Sequence, residues 1–195
     1  MTVDDILDQL LEKAKEGKIT RTELDAVAAS LADPLTAGDP YTKLYIVAFD
    51  EAGRQRALVE SFLDRPDDPM LSRLALQILC DFWGLTEDYL SRVKSFVTGV
   101  PWDEEEDVRQ VAISIAGEYL NEKYDPELFE ALLLIVDEPA EDELMREVAV
   151  AALARALGDS FQSLPDARIR TPINDEWSLD VINRAHERLL DPPWP

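Results

Sequence analysis

Residues 74–84 (LALQILCDFWG), 111–121 (VAISIAGEYLN) and 148–158 (VAVAALARALG) can be laid over one another without a gap. The register places Ala75, Ala112 and Ala149 in one column, 37 residues apart at both steps. The next columns are apolar in all three: Leu76/Ile113/Val150, Ile78/Ile115/Ala152 and Leu79/Ala116/Leu153. Apolar residues at this spacing form the buried stripe of a helix. Gly84, Asn121 and Gly158 end the stretches with residues suited to a helix C-terminus. A second helical pattern, ELFEALLLIV (127–136), lies between two of the copies, and YLSRVKSFV (89–97) lies one period earlier. Paired helices at a fixed period predict an all-α protein, a right-handed α-solenoid of stacked antiparallel helix pairs. Its small alanines would let neighbouring repeats approach closely.

Outward from the repeat, helices continue in both directions. Val3, Ile6, Leu7, Leu10, Leu11 and Ala14 share one face of a helix over 3–16. Thr20 and Glu23 have the spacing of a capping box, and Asp39-Pro40, Asp68-Pro69 and Asp125-Pro126 place a capping acid before a proline at the first helical position. Helices are expected near 3–16, 20–32, 40–52, 54–64, 69–83, 87–98, 105–122, 126–136, 141–157 and 177–190, about ten in all. Residues 1–195 read as one domain: an N-terminal helix pair to 36, repeats over 37–158, an irregular loop over 159–176, and a capping helix with a tail over 177–195. The loop holds a local basic spot, Arg168 and Arg170.

The chain carries 41 Asp and Glu against 19 Lys and Arg, a formal charge of −22. Such a field repels nucleic acid and anionic membranes and attracts basic partners. Hydrophobic residues make up 46%, too many for a disordered acidic chain. No run approaches the apolar length of a membrane span, and the acidic start MTVDDILDQ is unlike a signal peptide, so a cytoplasmic, soluble monomer is expected. The lone cysteine, Cys80, sits in an apolar run and reads as a buried thiol. With Cys80 and His186 each the only residue of its type, an ordinary zinc site lacks ligands. No glycine-rich phosphate loop occurs, so neither a cofactor nor an enzyme activity is expected.

The densest charge lies over 103–147, with 16 acids against Arg109, Lys123 and Arg146. At its head stand Asp103, Glu104, Glu105 and Glu106. The 37-residue register maps Glu104–Glu106 onto Asp67, Asp68 and Pro69 in one direction and onto Glu141, Asp142 and Glu143 in the other. All three loops precede the first helix of a repeat, so these acids are expected to line one edge of a solenoid. Acids in a first turn complement the helix dipole, which accounts for one or two per helix and not for a consecutive run. The DEEED run also lacks the spacing of a calcium loop. Trp102, next to the run, is the candidate exposed anchor of a partner-binding surface made of Asp67, Asp68, Trp102, Asp103, Glu104, Glu105, Glu106, Glu141, Asp142 and Glu143.

The stretches DVRQVAISIAGEYL (107–120), DPELFEALLLIVDEP (125–139) and LMREVAVAALARALG (144–158) resemble the HEAT-like helical repeats, over roughly residues 40–158. Arg109 and Arg146, three residues before the shared alanine, and Asp137 at a second-helix end carry the likeness. Ser72 stands where an earlier arginine would be, and the first repeat is short, so the arginine ladder is incomplete. Small acidic proteins of this type look like the immunity proteins of bacterial contact-dependent or polymorphic toxin systems. That resemblance implies occlusion of a basic toxin, such as a nuclease. It also leaves open a general scaffold binding on its concave face. HEAT-like glycosylases and bilin lyases offer an enzymatic alternative, and a DNA-binding glycosylase needs a basic groove that this composition opposes.

Overall fold

The structure is a computed structural model that describes residues 2–33, 38–50, 53–160 and 171–190. Every regular element among them is helical, as the all-α reading predicts. The chain packs as two compact units, Met1–Tyr89 and Leu90–Pro195. Among the described residues no helix is long and apolar enough to cross a membrane.

The first unit contains α1 (Val3–Lys15), α2 (Arg21–Ala32), α3 (Pro40–Ala48), the short α4 (Arg56–Glu60) and α5 (Pro69–Gln77). The predicted starts are made by side chains. Thr20 and Glu23 form the capping box, and Thr2 and Asp5 form a second one at the start of α1. Asp39 accepts the Thr42 N–H at 2.8 Å and Asp68 the Leu71 N–H at 3.3 Å, each with proline at the next position. Leu44, Ile46 and Val47 of α3 are fully buried, with α1, α2 and α5 packed against that helix.

Three helices expected here end differently, and the first of them, expected over 40–52, stops at Ala48. The helix expected over 54–64 is α-helical only from Arg56 to Glu60. The helix expected over 69–83 leaves α geometry at Ile78 and widens into a π turn, Ile78–Phe82. Its wider closure, Trp83 N–H to Ile78 C=O at 3.0 Å, accompanies fixed placement of two rings. The Trp83 indole N–H donates to the Ala48 carbonyl at 3.1 Å, and Phe82 lies edge-on to Tyr45 and Phe49. A 3₁₀ turn, Thr86–Tyr89, follows. Arg56 ties it to α4, donating to Asp88 at 2.7 Å, Glu60 at 3.0 Å and the Tyr89 hydroxyl at 2.7 Å.

Cys80 is buried inside the π turn. Burial, with Asp81 adding repulsion, pushes its thiol up to about 12. The thiolate is the reactive form, so a disulfide-exchange reagent should label Cys80 only at the rate of unfolding. Rapid stoichiometric labelling of the native protein at neutral pH would contradict this burial.

The second unit contains α6 (Leu90–Thr98), α7 (Asp107–Glu122), α8 (Pro126–Asp137), α9 (Glu143–Ala156) and α10 (Glu176–Leu190). Asp125 caps α8 through the Leu128 N–H at 3.0 Å. The most extensive packing joins α7 to α9, the two helices related by the 37-residue register. Ala112 and Ala149 are fully buried, and so is Ala75 in the first unit. At Gly117 the approach is closer still: a methyl group there would lie 2.6 Å from the Ala152 Cα and 2.7 Å from its carbonyl oxygen. Glycine is what the crossing requires. Arg184 of α10 holds Asp159, just past α9, through two bonds of 3.0 and 2.8 Å, and His186 meets Asp137 at 3.1 Å. Arg168 and Arg170 lie outside the described residues.

Candidate functional site

The acidic run at 103–106 does several jobs. Asp103 ends a turn that begins at Val100, and its Oδ2 accepts the N–H groups of Val108 at 2.9 Å and Arg109 at 3.0 Å. It is therefore the side-chain cap of α7 and is 5% exposed, which corrects its expected place on an open ridge. Helix N-termini leave donors without partners, and a buried carboxylate at this distance satisfies two of them. The chain reaches the helix through Glu106 at φ 58°, the one non-glycine in the left-handed region among the described residues. This detour explains why α7 begins at Asp107 and not at the expected 105. Glu104 and Glu105 remain exposed between the two.

Arg109 joins this loop to the next one. Its Nη1 donates to Glu106 at 2.5 Å and to Glu141 at 3.0 Å, its Nη2 to Glu141 at 2.5 Å, and its Nε to the Val97 carbonyl at 3.0 Å. The side chain is 12% exposed and that of Glu141 16%. Burial works against the charge on Arg109, yet its bonds to Glu141 and Glu106 hold the guanidinium above its ordinary range. The same bonds hold the Glu141 carboxyl below the usual carboxylate range, with the Asp142 N–H assisting and burial opposing. Glu106 and Glu141 are thus partners of an internal clasp. Arg146, one repeat on, makes the matching Nε bond to the Val136 carbonyl at 3.0 Å. Arg109 and Arg146 each fasten a first helix to the end of the helix before it.

The clasp also shows that, within the second unit, the loop at 103–106 and the loop at 138–143 lie side by side, as the repeat register predicts. Asp142 caps α9 through the Leu144 N–H at 2.8 Å and is exposed, as is Glu143. Glu104, Glu105, Asp142 and Glu143 are the exposed members of the edge. Asp67 and Asp68 belong to the first unit. There Asp67 takes two bonds from Arg65 at 3.0 and 2.7 Å, which lower its carboxyl, and Asp68 caps α5 while accepting the Tyr41 hydroxyl at 2.7 Å. Trp102 is half-buried with its ring edge-on to Phe96, centroids 6.1 Å apart. The expected full exposure of Trp102 is corrected: its ring packs against Phe96 of α6.

Two features carried no sequence signal. One is an open cleft of about 650 Å³ in the first unit, walled by Phe49, Phe82 and Trp83, with Leu24, Lys15 and Asp50 around it. Asp50 is buried and meets Arg54 at 3.3 Å. The other is an exposed leucine, Leu134, in the middle of α8. Among the described residues no three His, Cys, Asp or Glu side chains converge in a way that could hold a metal ion. Comparison with protein-family models, curated protein sequences and solved structures finds no match.

Proposed function

We propose that this chain is a protein-binding module whose acidic edge captures a basic partner, in the manner of an immunity protein that occludes a toxin domain. The observation that supports this reading is what remains after internal duties are assigned. Capping uses Asp103 and Asp142, and the Arg109 clasp uses Glu106 and Glu141. Glu104 and Glu105 stay exposed beside them and add to the self-repulsion of a strongly acidic chain. A carboxylate edge on a protein of charge −22 steers cationic surfaces toward itself and speeds encounter.

The test uses poly-lysine as a cationic probe, with association measured at about 0.05 M and about 0.5 M salt. Replacing Glu104 and Glu105 with glutamine spares the clasp and both caps. Association should slow several-fold at the lower salt, and its salt dependence should flatten, with dissociation little changed. Equal association by the variant and the parent would reduce the edge to a solvated surface and move the partner to another face.

A further inference from the structure

We infer that the outer face of α8 is the apolar-anchored part of this binding surface and fits a basic amphipathic helix; the inference rests on the acidic-edge reading. Within the run Leu132–Val136 every side chain but one is buried: Leu134 is 69% exposed. On the same face stand Glu127 and Glu130 before it and Asp137 and Glu138 after it, all exposed. Steps of three and four residues place these five along one stripe, with a carboxylate one turn to either side of the leucine. The stripe runs directly into the loop that carries Glu141, Asp142 and Glu143. Leu144, 40% exposed in the first turn of α9, stands on the far side of that loop. Two exposed leucines therefore bracket the acidic turn.

Internal bonds account for part of this arrangement: Glu127 pairs with Lys94 at 2.9 Å, Asp137 meets His186 at 3.1 Å, and Glu138 accepts the Ala140 N–H at 3.0 Å, yet the stripe keeps a net negative charge. Asp137 and Glu138 sit at the C-terminal end of α8, where the helix dipole disfavours negative charge, and that last turn holds no basic residue. A bare leucine ringed by carboxylates matches a partner with an apolar residue flanked, one turn away on each side, by lysine or arginine. Spacing of that kind is what a helix laid along α8 presents. Buried apolar anchors within a polar surround contribute most of the affinity of such contacts.

The probe is a pair of synthetic helical peptides of equal positive charge, one with leucines between its lysine turns and one with glutamines in their place. Binding is followed by fluorescence anisotropy at about 0.05 M salt. The parent protein should bind the leucine peptide about tenfold more tightly than the glutamine peptide. Leu134→Ala, an exposed change that favours the helix, should abolish that preference and leave the glutamine peptide's affinity unchanged. A preference that survives in Leu134→Ala, or equal affinity of the parent for both peptides, overturns the leucine anchor alone. Failure of both peptides to bind overturns the acidic-surface reading beneath it.

Discussion

Replacing Gly117 with alanine should destabilise the second unit by about 2 kcal/mol, although a Gly→Ala change inside an unencumbered helix gains up to about 1 kcal/mol. The sign is set by the crossing of α7 and α9. The added methyl would fall 2.6 Å from a backbone carbon and 2.7 Å from a backbone oxygen of Ala152, and 2.9 Å from its side chain. Contacts below 3 Å with backbone cannot be relieved by a rotamer change, so the helices must separate. Separation opens the packing around Ala112, Ala116, Ala149 and Leu153, all fully buried, and dispersion falls steeply with such gaps. Urea unfolding is the measurement: the midpoint should fall by about 1 M with the slope unchanged. Ser114→Ala, an exposed change on the same helix, should stay within about 0.5 kcal/mol of the parent. A Gly117→Ala midpoint equal to or above the parent's would mean that α7 and α9 do not cross this closely.

The packing of α7 against α9 was legible because it is written in residue size. Alanines spaced by 37 are what close helix packing demands, and Ala75, Ala112 and Ala149 are fully buried. Helix starts were legible at the Asp-Pro pairs because the capping bond is local in sequence, three residues long. Features that depend on distant partners were not. The π turn at Ile78–Phe82 accompanies a Trp83 bond to a carbonyl 35 residues away, which no local pattern announces. Asp103 and Glu104 look alike in the run, and only the turn starting at Val100 decides which one is buried under the helix. In the same way LLLIV is apolar on every side, so the sequence could not say that Leu134 is the residue left exposed. The acidic edge was half legible: the repeat brings its two second-unit loops together, but the share of carboxylates used internally emerges only from the bonds of Arg109 and the caps.

Arg109→Met should cost about 3 kcal/mol at neutral pH, and most of that cost should vanish in acid. Methionine preserves the aliphatic packing of the stem and removes every donor. Left behind are two carboxylates, Glu106 and Glu141, and the Val97 carbonyl, all previously bonded to one guanidinium. Removing one member of a mostly buried pair typically costs about 3–5 kcal/mol, because the remaining charge is stranded. Partial exposure of Glu141 and Glu106 puts this site at the lower end. The pH dependence follows from Glu141, whose carboxyl is held below its ordinary value by Arg109. A carboxyl depressed in the folded state adds stability above its unfolded value, about pH 4.3, and that stability is lost as the pH falls through the folded value. In the variant the depression is gone, so acid should weaken the parent more than the variant and the two should converge below about pH 4. Arg109→Lys should fall between them, since an ammonium keeps the charge but cannot reach two carboxylates and a carbonyl as a planar fork does. Denaturation curves for the three proteins at neutral and acidic pH settle the matter: a gap that stays constant with pH would show that Arg109 acts through packing alone.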